Sequence, residues 1–218
     1  MIRFPNLLQK YIRHTPTYPY IVKNYFHYAF IDHVAHRSFN YNPLLSHYER
    51  TGFKVQDPMY FFPSMDVEAK WLKYEKNQNV YRIFVSQYTK PNEYKVESYD
   101  DYKEIQSDND YVAWTMLHRF DINHIALRTD NIFDLAAKLK KDSSIKLNNP
   151  DDPVTISKDG KLLQMSTKAD LIEYQFPNGE VADVPYTFIE FVQRIDGRDG
   201  FESDNALQIF TSTDTNNV

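Results

Sequence analysis

Ile31-Asp32-His33-Val34-Ala35-His36-Arg37-Ser38 returns later in the chain as Ile122-Asn123-His124-Ile125-Ala126-Leu127-Arg128-Thr129. The two stretches lie 91 residues apart and set His33 against His124 and Arg37 against Arg128. The segments downstream of the two stretches repeat as well. After the first comes a short helical stretch, Pro43 to Arg50, which stops at Gly52. After the second, apolar residues at 132, 135, 136 and 139 recur at helical spacing, with Asp130 or Asn131 as the cap. Strand-like segments succeed both helices, at 53–62, 67–75 and 80–88 in the first half and at 153–158, 161–176 (one long strand or two) and 186–194 in the second. Asp159-Gly160 and Asn178-Gly179 read as hairpin turns. Each half is therefore a strand, a helix and about three strands. The expected fold class is α+β, built from two βαβββ modules at about 29–90 and 120–195. Residues 91–119 join them, with Tyr111 to Leu117 as a connecting helix, and no low-complexity linker intervenes. That favours one integrated domain over residues 1–218.

Composition removes many chemistries. The 218 residues contain no cysteine, which excludes thiol nucleophiles, thiolate metal sites and disulfides. Only five glycines occur, and none of their spacings makes a nucleotide-cradling loop or a nucleophile elbow. No apolar run approaches the ~18 residues of a membrane span, and Pro5, Pro16 and Pro19 break any signal-peptide core. The expectation is a cytoplasmic protein with no membrane association. A net charge of −5, without a basic stripe, gives no reason to expect nucleic acid. Aromatic residues are abundant at 16%, and read as strand and core residues rather than as base-stacking platforms.

Side chains alternate faces along a strand, so Ile31, His33, Ala35, Arg37 and Phe39 should share one face, as should His124, Ala126 and Arg128. One histidine of this kind is ordinarily structural; two at equivalent positions ask for one explanation. Glu190 lies in Tyr186-Thr187-Phe188-Ile189-Glu190-Phe191-Val192-Gln193-Arg194, a strand apolar on both faces. A buried carboxylate there needs an ion-pair partner or a metal. Beside His33 and His124 the metal reading is the stronger. Two imidazoles and a carboxylate form the facial triad suited to non-haem Fe(II), though zinc or manganese would accept the same donors. Arg37 and Arg128 are candidates for gripping an anionic substrate, with an internal ion pair as the alternative. Gln164, polar within an apolar strand, is a weaker pocket candidate. His14, His27, His36, His47 and His118 show no such pattern.

The paired modules, with a histidine opening each and a glutamate on the last strand, resemble the vicinal oxygen chelate fold, a curved sheet around a metal site. More closely, the chain resembles the 2-oxoadipate dioxygenase/decarboxylase, or hydroxyglutarate synthase, family. The resemblance rests on His33 to Phe39, Arg82 to Ser86, Tyr111 to Thr115, Asn123-His124, Asp159 to Thr167, Ala169-Asp170, Val184-Pro185, Phe188 to Phe191, and Arg198 to Ala206. It implies Fe(II) on His33, His124 and Glu190, with Arg37 as the substrate arginine and catalytic residue. It also implies a small 2-oxo acid and O2 as reactants, with 2-oxoadipate giving 2-hydroxyglutarate and CO2. Only Ile195 to Gly197 stand where relatives often carry a longer insert, and His36 stands where an apolar residue is expected. Two other readings are another metal-dependent enzyme of this fold (4-hydroxyphenylpyruvate-dioxygenase-like, or glyoxalase-like with Gln87 as a fourth ligand) and a non-catalytic binder of a small acid.

Overall fold

The two echoed stretches become neighbouring strands. The computed structural model describes residues 15–26, 30–77, 79–90 and 93–201, with Pro58 described by its backbone alone. Helix α1 (Thr17–Tyr25) precedes the first module, which runs β1 (Ile31–Ser38), α2 (Asn42–Arg50), β2 (Lys54–Phe62), β3 (Val67–Lys76) and β4 (Asn79–Tyr88). Helices α3 (Tyr99–Asp108) and α4 (Asp110–His118) lead to the second module. It contains β5 (Ile122–Arg128), α5 (Ile132–Leu139), β6 (Thr155–Ile156), β7 (Leu162–Ser166), β8 (Leu171–Gln175), β9 (Val181–Pro185) and β10 (Phe188–Arg194).

One eight-stranded sheet runs β2-β3-β4-β1-β5-β10-β7-β6. In each half the last strand pairs parallel to the first, β4 with β1 and β10 with β5, and the helix and strands between them supply the crossover that parallel pairing needs. The halves meet where β1 pairs antiparallel with β5. His33, His124 and Glu190 thus come to lie on three adjacent central strands.

The stretch 161–176 holds two strands rather than one: β7 joins the main sheet, whereas β8 pairs with β9 in a separate two-stranded sheet whose turn is Asn178-Gly179. The polar break Thr167-Lys168-Ala169-Asp170 separates β7 from β8, and the Asp170 side chain accepts hydrogen bonds from the Thr17 N–H and hydroxyl. The connecting segment holds two helices rather than one. Sequence reading passes over α3 because its Tyr-Asp-Asp-Tyr-Lys-Glu face is polar, yet it starts with a capping box between Ser98 and Asp101. Asn131 is the cap of α5, its side-chain oxygen accepting from the Asp134 N–H at 3.1 Å.

Alternation divides the interior into two cores. Val34, Ile83, Val85, Ile125, Leu127, Ile189 and Phe191 face α1, α2 and α5. Ala35, Trp71 and Phe84 face the other way, with α3, α4 and the β8–β9 hairpin. Ile125 sits in register with Val34 on one side and Ile189 on the other, with no exposed surface. Its replacement by alanine is expected to cost about 2–5 kcal/mol, read as a lower urea midpoint at unchanged slope.

His36 points into the first core, away from His33. Its Nδ1–H donates to the Phe120 carbonyl at 3.0 Å, while Nε2 accepts from the Tyr48 hydroxyl at 2.7 Å. Both bonds use the neutral ring, and burial pushes its pKa down to about 4 from 6.5, against the smaller opposing pull of the Phe120 carbonyl. Between those values the unfolded chain takes up a proton that the folded chain refuses. This contribution is therefore complete above pH 6.5 and declines as pH falls toward 4, by roughly 3 kcal/mol in total. Urea unfolding of wild type and His36→Gln across pH 4–7 checks it: the wild type should lose stability more steeply on acidification, and parallel curves would count against it.

Candidate metal centre

Strand β1 does not alternate strictly. Ile31 pairs with Leu127 and His33 with Ala126, so Asp32 is an unmatched residue on β1. Likewise Ala35 pairs with His124 and His36 with Ile122, which leaves Asn123 unmatched on β5. A β-bulge therefore precedes each histidine and re-aims the residue before it. Ile31 consequently packs with the helix-covered core rather than on the histidine face expected from alternation. Asp32 and Asn123 instead meet their neighbours: His33 Nδ1 lies 3.0 Å from Asp32 Oδ1, and His124 Nδ1 lies 3.1 Å from Asn123 Oδ1. Those oxygens only accept, so each Nδ1 carries the proton and each Nε2 presents a lone pair.

The two Nε2 atoms converge at 3.2 Å, and each is 3.2 Å from Glu190 Oε2. The second oxygen of Glu190 accepts from Gln164 Nε2 at 2.5 Å. All four side chains are buried. Burial favours neutral groups, but the two imidazoles outweigh it at Glu190 and hold its carboxyl down at about 2. At His33 burial is overcome by the Glu190 and Asp32 carboxylates, which raise its pKa; at His124, burial prevails and lowers it. With both imidazoles neutral, three acceptor atoms converge in a dry interior and can hold a cation between them. Their ligand atoms all lie within 4.8 Å of one another, and the donor set of two nitrogens and one carboxylate oxygen fits a divalent transition metal.

Arg37 stands two residues beyond Ala35, the cross-strand partner of His124, on the same face. It is buried, pairs with Asp110 at 3.2 Å, and lies over the rings of Tyr111 and Trp114. Arg128 does not join it. Because β1 and β5 are antiparallel, the two arginines run out from opposite ends of the triad. His36 pairs with Ile122, so Arg37 lies level with Asp121, seven residues or about 23 Å along the strand from Arg128, whose side chain is exposed. No small acid spans both. Gln164 is placed against Glu190. Gln87 pairs with Ser38, and its amide is engaged by the Tyr41 N–H and by Glu68, away from the triad.

Sequence reasoning missed Asp32, Asn123, Arg194 and Phe201. The first two carry a signal in hindsight, an oxygen-bearing side chain immediately before the histidine in both copies of the echo. Arg194 reaches Asp32 through two bonds of 2.8 Å, and the Phe201 ring lies 4.9 Å from that of His33. Glu202 to Ala206, which the resemblance also used, fall outside the described residues, as do His14 and His27.

The family model for 2-oxoadipate dioxygenase/decarboxylase matches residues 65–196, more than half of the chain. The chain belongs to this family. The match takes in His124, Gln164 and Glu190, whereas His33 and Arg37 lie before it. Among relatives of the family, the chain is 30% identical over 135 residues to the chloroplastic 2-oxoadipate dioxygenase/decarboxylase of Arabidopsis thaliana, covering 52% of this chain and 36% of that protein. The match thus spans little more than a third of the relative's length. A crystal structure of hydroxyglutarate synthase from Oryza sativa, in complex with 2-oxoadipate, superposes with a TM-score of 0.83 at 24% identity, over 96% of this chain and 90% of that one. A Ralstonia eutropha protein assigned provisionally to the glyoxalase superfamily gives 0.72 at 16% identity, over 90% and 83%. These likenesses establish the α+β vicinal oxygen chelate fold. The cytoplasmic expectation is corrected, since the Arabidopsis relative is named as a chloroplast protein. Missing cysteine and missing apolar spans do not choose among reducing compartments.

Proposed function

We propose that this chain is a non-haem Fe(II) dioxygenase/decarboxylase acting on a small 2-oxo acid, with 2-oxoadipate and O2 giving 2-hydroxyglutarate and CO2. The observation that carries the reading is the buried convergence of His33 Nε2, His124 Nε2 and Glu190 Oε2 with Arg37 on the same face of the sheet. The family supplies the reaction class, and the Oryza sativa structure with 2-oxoadipate supplies the substrate. Ferrous iron held by these three side chains would offer open positions to a 2-oxo acid and to O2, and would relay to O2 the electrons that the acid gives up in decarboxylation and hydroxylation.

The protein's own residues account for the rest. Asp32 and Asn123 keep both Nδ1 atoms protonated, so both Nε2 atoms are free to donate. Gln164 occupies one oxygen of Glu190 and turns the other toward the histidines, so its role is to orient Glu190. Arg37 grips a substrate carboxylate, its guanidinium braced by Asp110 and by the Tyr111 and Trp114 faces. Arg128 has no part in this assignment. Trp71 and Phe84, on the same face, exclude water. The two modules act as one domain, because the triad draws on both.

The test is O2 uptake and CO2 release by the purified chain, loaded anaerobically with Fe(II) and offered a panel of 2-oxo acids. One CO2 per O2 with 2-oxoadipate as the preferred acid is expected. Iron bound without turnover on any acid would favour the non-catalytic binder.

A further inference from the structure

We propose that Asp32 and Arg194 act together as positioning residues for His33, and that the segment from Arg198 to Phe201, gripped by the same Arg194, belongs to that support. The inference rests on the triad binding a metal, and deepens that reading. Arg194 Nε donates to Asp32 Oδ2 and Nη2 to Oδ1, each at 2.8 Å, a fork that fixes the plane of the carboxylate. Asp32 Oδ1 is the same atom that receives the His33 Nδ1 proton. Rotation of the His33 ring is thereby tied to the position of one guanidinium.

The remaining arm of Arg194 reaches elsewhere. Nη1 donates to the Gly200 carbonyl at 2.8 Å and to the Arg198 carbonyl at 3.4 Å. This short segment leaves β10 in the second module and crosses to the first. Asp199 pairs with Arg82 on β4 at 2.9 Å and with Lys73 on β3 at 2.7 Å, and the Phe201 N–H donates to the Tyr60 hydroxyl of β2 at 3.2 Å. Gly200 has φ +75°, and a Cβ there would stand 3.1 Å from the Tyr60 hydroxyl, so the crossing requires glycine. Its end places the Phe201 ring edge-on to His33 at 4.9 Å and to Trp71 at 4.6 Å, with Arg194 stacked on it.

The two histidines therefore differ in support. His124 is oriented by a neutral amide, Asn123, and His33 by a clamped carboxylate, which makes His33 the stronger electron donor. A buried ion pair adds little to stability by itself, whereas a fork that shares an oxygen with a ligand's proton does set ligand geometry.

Co(II) titration of the metal-free chain tests this, with affinity taken by chelator competition and geometry from the visible d–d bands. Asp32→Asn should weaken Co(II) binding about 10–100-fold and shift the bands. Asp199→Asn loosens the partly exposed anchor of the crossing segment and its hold on Arg82, which also lies 3.9 Å from Asp32, and should shift the bands in the same direction with a several-fold loss of affinity. If wild type binds no Co(II), the metal reading itself fails. If wild type binds and both variants match its affinity and spectrum, the positioning role is wrong. Should Asp32→Asn fail to fold by far-UV circular dichroism, Asp199→Asn decides alone: a wild-type spectrum overturns the proposal.

Discussion

Glu190→Gln should leave a folded chain that binds no useful metal. The substitution keeps shape and the neighbouring amide of Gln164, and removes the one anionic donor of the triad. Two neutral imidazoles and an amide oxygen hold a divalent cation far more weakly than two imidazoles and a carboxylate, so Co(II) or Fe(II) affinity should fall at least about 100-fold. O2 uptake with 2-oxoadipate should fall roughly 10³-fold or more, about 4 kcal/mol of transition-state stabilisation. The metal-free chain should lose some stability as well, because the imidazoles that hold the Glu190 carboxyl down at about 2 favour its charged form in the folded state. Chelator competition, O2 electrode rates and urea midpoints separate these effects. A stability loss with metal affinity unchanged would mean that Glu190 is a structural ion-pair partner.

Arg37→Met is expected to spare the metal and disable the substrate grip. Methionine keeps much of the apolar stem that lies against Tyr111 and Trp114 and deletes the guanidinium. The abandoned Asp110 side chain is 18% exposed and is hydrated at modest cost. Truncating one member of a desolvated charge pair costs about 2–5 kcal/mol, so kcat/KM for the 2-oxo acid should fall about 10²- to 10³-fold, mostly through KM. Co(II) affinity should stay within a few-fold of wild type. An unchanged KM would remove Arg37 from the substrate site.

The echo, the helices that come after it and the strand-like runs were readable because they are local patterns. Helical spacing at 132, 135, 136 and 139 and the run of strand-forming residues from Val80 to Val85 depend on neighbours in the chain alone. The triad was readable for a related reason, since a duplicated histidine and a carboxylate in an apolar strand are conspicuous without coordinates. Where reading went astray, distant pairing was responsible. Arg37 and Arg128 look equivalent in the sequence, and antiparallel pairing of β1 with β5 sends them to opposite ends. The stretch 161–176 reads as one strand or two, and only pairing shows that its halves go to different sheets, β7 to the main sheet and β8 to β9.

By itself, then, the sequence determined the two-module plan, the absence of thiol chemistry and the identity of three candidate ligands. The tertiary structure alone decided how those ligands are oriented. A one-residue bulge before each histidine turns Asp32 and Asn123 onto the histidine face, against simple alternation. Arg194 then closes on Asp32 from a strand 162 residues away, and carries the Gly200 crossing with it. Strand register and long-range hydrogen bonds set such contacts, and neither leaves a periodic trace in the chain.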